Sequence, residues 1–160
     1  MSQRPKLLAS SLLYVGAIDF NHDVDSMGLP AHLTDCLRNV NAASVKTEAN
    51  RVAFTGGAFR LVTNWNVLGP FGFGELTVDS STLEVQYRLS FRQLVIFASI
   101  ATALTATFGL FSGFGWQLLI GVPIMWIWLV GFNLVTGVPR FETFIGKAIA
   151  TAPRRKMTTV

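Results

Sequence analysis

One cysteine, Cys36, and two histidines, His22 and His32, are all that 160 residues provide of these types. A single thiol excludes an internal disulfide and a multi-cysteine zinc site within one chain. Charge is also scarce. Asp, Glu, Lys and Arg make up 14% of the chain against 51% hydrophobic residues, a balance too apolar for an ordinary soluble protein. The gap is concentrated, because no charged residue stands between Arg92 and Arg140. That stretch therefore holds no proton relay, ion path or histidine for a haem or chlorophyll metal. Elsewhere Gly69, Gly72 and Gly74 lack the Gly-x-Gly-x-x-Gly spacing, and no Lys-Ser/Thr follows them to cradle a phosphate. No cofactor, metal or catalytic group is assigned.

The net charge of +4 is unevenly placed. Through Arg92 eight basic residues balance eight acidic ones; beyond Pro139 five basic residues face Glu142 alone. The basic excess is a property of the C-terminal tail. A neutral front half offers no basic face for nucleic acid.

Residues 93–139 are long enough to cross a bilayer twice, since one helical span needs about 20 apolar residues. Gly109, Ser112, Gly113 and Gly115 mark the break. The spans read as 94–111 and 116–136, with Trp116 at an interfacial depth and Pro123 bending the second. Arg88 and Arg92 precede the first span, Arg140 and Lys147 follow the second, and the connecting loop is uncharged. The positive-inside rule then puts both termini in the cytoplasm. In the first span Ala101, Thr105, Gly109 and Gly113 recur every four residues, beside a second row of Ala98, Thr102 and Ala106. Small residues at that spacing let helices approach closely, either the chain's own second helix or a helix of another protein. Asn133, the strongly polar side chain of the second span, reads as a helix–helix contact before a ligand contact.

The front half, residues 1–92, reads as a small antiparallel β-rich cytoplasmic domain with one short helix. Leu83, Val85, Tyr87, Leu89 and Phe91 alternate with polar partners, and the turn 79–82 joins them to an alternating run after Gly74. The stretch 44–50 pairs with the run after Arg51, and 58–65 offers Phe59, Leu61, Thr63 and Trp65 as a further strand. Leu29, Leu33, Leu37 and Val40 recur at helical spacing behind Pro30, predicting a short amphipathic helix that covers the sheet. Residues 7–20 read as an apolar first strand, with a cleaved signal peptide and an interfacial segment as alternatives. Phe71 and Phe73 either dip into headgroups or form a folded aromatic turn. The last strand is expected to run directly into the first span.

Two clusters suggest chemistry. Asp19, Asn21, Asp23 and Asp25 resemble calcium-loop positions, but Val24 replaces the required glycine and Pro30 the bidentate glutamate. A solvated acidic loop is the plainer reading. Cys36 and His32 share a helix face, yet a nucleophile also needs an oriented base and an anion hole. The tail, 140–160, is amphipathic and basic. Phe141, Phe144, Ile145 and Ile149 form one side that lies on the membrane or packs back on the sheet, and Arg154, Arg155 and Lys156 form a cluster drawn to anionic lipid.

The expected whole is an α+β integral protein of the cytoplasmic (inner) membrane: sheet domain, two-helix hairpin, tail. The expected function is that of a non-catalytic accessory subunit, its partners membrane lipids and other integral membrane subunits. A lipid- or ligand-sensing module at the membrane surface is the second reading, and a small membrane enzyme using Cys36, His32 or His22 the third.

Overall fold

The computed structural model describes residues 6–8, 12–56, 67–113 and 115–154. It is an α+β chain. Strands β1 (Lys6–Leu8), β2 (Leu13–Asp19), β3 (Ser44–Glu48), β4 (Arg51–Thr55), β5 (Phe73–Asp79) and β6 (Glu84–Ser90) form one antiparallel sheet in the order β1-β2-β6-β5-β4-β3. β1 is a three-residue edge piece added to five longer strands. Three helices complete the described residues: α1 (Leu29–Asn39), α2 (Arg92–Phe111) and α3 (Gln117–Ala150).

The alternation in β6 decides the layering. Val85, Tyr87 and Leu89 are buried and share a face with Leu76 and Val78 of β5 and Val52 and Phe54 of β4. Leu29, Leu33 and Leu37 of α1 cover that face, as do Val138, Phe141, Ile145, Ala148 and Ile149 of α3. The opposite face carries polar partners, among them an Arg51–Glu75 ion pair with contacts of 2.5 and 2.6 Å. Exposed as it is, that pair adds little stability.

Local chemistry fixes the turns. Asp79 Oδ1 accepts from Ser81 N at 2.9 Å and Ser81 Oγ at 2.6 Å, closing the β5–β6 turn. Those bonds hold the Asp79 carboxyl below its ordinary range. Two cross-strand pairs set a large ring over a glycine: Tyr87 faces Gly16, and Phe54 faces Gly74. A Cβ at either glycine would run into the ring, so these strands give up β propensity to let the aromatic lie flat.

Residues 7–20 resolve as strand β2 and its neighbour β1 where they are described, and residues 44–48 pair with 51–55. The proposed strand at 58–65 lies outside the described residues. Phe71 is fully buried, a folded aromatic turn, while Phe73 is 43% exposed on the polar face.

The junction is as direct as the sequence implied, with Phe91 alone between β6 and α2. The return path differs. Helix α3 does not stop near Thr136 but runs on through Pro139 to Ala150. An internal proline removes one helical hydrogen bond and crowds the preceding turn. Here the second half of the helix gains burial of Phe141 and Ile145 on the sheet, which outweighs that cost. The apolar side of the tail therefore packs back on the sheet, the second of its two expected placements.

Candidate functional site: the apolar hairpin and its seat on the sheet

Helices α2 and α3 are each long and apolar enough to cross a membrane. The 20 residues of α2 rise about 30 Å, the thickness of a bilayer's hydrocarbon core. Large side chains on this hairpin point outward: Phe108 is 74% exposed and Phe111 88%, with Leu104, Ile124, Trp128 and Val135 also exposed.

The two helices meet through small residues. Ala98, Thr102 and Gly109 are buried, and a side chain at Gly109 would collide with Leu118. Thr102 Oγ1 donates to Ala98 O at 2.8 Å, so its hydroxyl is satisfied within α2. A polar tie crosses the pair, Trp126 Nε1 donating to Ser99 Oγ at 3.1 Å. Of the four-residue row read from the sequence, Gly109 stands in the contact. Ala101 is half-buried and Thr105 and Gly113 are exposed. Gly113 takes φ +80° at the turn, a conformation that suits glycine. Asn133 is half-buried and donates through Nδ2 to Leu129 O of its own helix at 2.6 Å. The Trp126–Ser99 tie escapes a reading by residue size, because neither partner belongs to the small-residue row.

The base of the hairpin is seated in an aromatic layer. Phe141 stacks on Phe54 at 5.8 Å between centroids and meets Phe71 and Tyr87 edge-on at 5.4 and 5.8 Å. Phe71 in turn meets Phe91, the residue just before α2, at 5.2 Å. Edge-on and offset ring pairs add to the burial energy. Pro70 presses on Gly137 and Gln93 on Gly72, closing the collar where sheet and hairpin join. One hydrogen bond penetrates this layer: Tyr87 donates its hydroxyl to Glu142 Oε1. Burial, then the bond to Glu142, pushes the Tyr87 phenol up; burial and Glu142 do the same to Tyr14, stacked on Tyr87 at 6.3 Å. Glu142 is the sole acidic residue after Glu84. That isolation was the available signal for it.

The remaining candidates stand at the other end of the domain. His32 Nε2 lies 3.1 Å from Ala148 O, 3.3 Å from Thr151 Oγ1 and 3.6 Å from Cys36 Sγ. A carbonyl only accepts, so Nε2 carries the proton and has no lone pair for the thiol. In this arrangement His32 caps the end of α3. Burial, then Asp35, pushes the Cys36 thiol up, away from the reactive thiolate. The acidic loop gathers no group of three metal-capable side chains among the described residues. Arg154 is exposed and pairs through its backbone with Val24. It lies at the end of the sheet remote from α2, about 20 Å along the helix from Gly137. Arg155 and Lys156 lie outside the described residues.

No protein-family model, no curated protein and no solved structure matches this chain.

Proposed function

We propose that this chain is a non-catalytic accessory subunit of a multi-protein complex in the cytoplasmic membrane. In this reading the hairpin crosses the bilayer, both termini stay on the cytoplasmic side, and the sheet domain is held against the membrane surface. Lipid and the helices of other integral subunits cover the hairpin's outer faces. One observation carries the reading: both connections between hairpin and sheet are direct, without a linker. β6 enters α2 through Phe91, and α3 continues into the sheet's core as an unbroken helix. A hairpin fixed in this way presents the sheet in one orientation, which suits a docking surface better than a tethered module. The chemistry at His32 and Cys36 is consistent, since the imidazole is engaged by α3.

The experiment is extraction of the chain from native membranes in a mild detergent, followed by identification of what travels with it. Defined membrane proteins in fixed stoichiometry, lost when Phe108 and Trp128 are both replaced by Ala, are the expected result. The chain alone, fully extracted and folded, would overturn the reading.

A further inference from the structure

The end of the sheet remote from the hairpin carries a cleft that the docking reading does not use. It holds about 410 Å³ between the loop after β2 and the end of α3. Phe20, Ile149 and Ala152, each 7% exposed, make an apolar floor. Gly146 leaves one wall bare, since a Cβ there would meet nothing within 4 Å. Asp19, Asp23 and Arg154 also line it, with Arg154 held next to Asp23 by its backbone bridge to Val24. Backbone pairing fixes the two sides, with Asp25 N donating to Pro153 O at 3.0 Å beside the Val24–Arg154 bridge.

Charges of both signs thus line one cleft, and among the described residues Asp19, Asp23 and Arg154 form no ion pair. A ligand that bridges them needs a cationic end, an anionic end and an apolar body. We infer that the cleft binds a free α-amino acid with an apolar side chain. Its ammonium faces Asp23, its carboxylate faces the neighbouring Arg154, and its side chain lies on Phe20 and Ile149 over Gly146. A guanidinium takes a carboxylate through two parallel hydrogen bonds, which gives orientation as well as attraction. The volume is at the lower end for ligand clefts, so the ligand is small. A zwitterionic lipid headgroup is disfavoured by position, because the strands carry the cleft about 20 Å from the base of the hairpin.

The test is titration of the purified full chain with L-leucine, its decarboxylated amine and its deaminated acid, read by calorimetry. Leucine is expected to bind, with each truncated analogue weaker by roughly tenfold or more. Arg154→Gln should weaken leucine by about the same factor and leave the amine unchanged. Gly146→Leu should abolish binding while the melting curve stays in place, because the new side chain enters open space. No binding by about 10 mM leucine would overturn the inference. So would an amine that binds as well as leucine, or a Gly146→Leu chain that binds normally. Leucine binding seen only after removal of residues 155–160 would also overturn it, by making that segment the occupant.

Discussion

Phenylalanine has opposite surroundings in the two halves of this molecule. In the sheet domain Phe54, Phe71, Phe91 and Phe141 are at most 1% exposed, whereas Phe108 and Phe111 on the hairpin are 74% and 88% exposed. The contrast runs through a single helix: α3 leaves Ile124, Trp128 and Val135 uncovered, then buries Phe141 and Ile145 completely. One composition therefore serves two kinds of surroundings. Where apolar side chains meet other side chains they make the core; where they meet nothing, they leave an exposed apolar surface of the kind that marks a membrane or protein contact. The collar around Gly137 and Pro70 is the border between them.

The strongest way to break the comparison is to truncate the same residue on both sides. Phe141→Ala removes the ring shared by Phe54, Phe71 and Tyr87, and should cost about 3–5 kcal/mol in denaturant unfolding of the detergent-solubilised chain. Phe108→Ala removes the same atoms from an exposed site and should stay within about 0.5 kcal/mol. Equal costs would dissolve the distinction. Next comes charge. Leu104→Lys should penalise membrane insertion by about 2.5–3.5 kcal/mol, read as the fraction released by alkaline carbonate, while the isolated fold is unchanged.

A smaller effect sharpens the border itself. Tyr87→Phe deletes the bond to Glu142 and should cost about 1–2 kcal/mol. It should also alter the alkaline limb. The folded phenol is held above its ordinary value near 10, so its stabilisation is complete below that pH and is lost as pH climbs past it. The unfolded chain releases its proton first, and unfolding is favoured. The Phe variant should show less of this alkaline loss in melting scans above pH 10. Smallest of all, Trp126→Phe removes the tie to Ser99 and should loosen the hairpin by about 0.6 kcal/mol, seen as faster steric trapping of separated helices.

What the sequence made legible was periodic. The alternation of β6 and its end at Arg92 identified both the strand and the direct entry into a helix without a polar side. The leucines at 29, 33 and 37 identified α1 and its buried stripe. Long-range pairings were not legible. Pro139 reads locally as an end, and only the burial of Phe141 and Ile145 against distant strands keeps the helix going. Small-residue spacing marked α2 as a packing helix, but two adjacent rows had similar patterns. Which residues face α3 depends on helix rotation, and the buried ones come from both rows: Ala98 and Thr102 from one, Gly109 from the other. Glu142 and Tyr87 are 55 positions apart. Nothing local links them.

The most direct measurement is a depth profile. Cys36 is replaced by Ser, and single nitroxide labels are placed at Leu104 on the hairpin and Lys46 on the sheet. Collision with oxygen and with a water-soluble nickel chelate is then measured in native-lipid vesicles. The account predicts that the label at 104 meets oxygen and is shielded from nickel, while the label at 46 shows the reverse. Equal nickel access at the two positions would contradict it, because the exposed face of α2 would then lie in water.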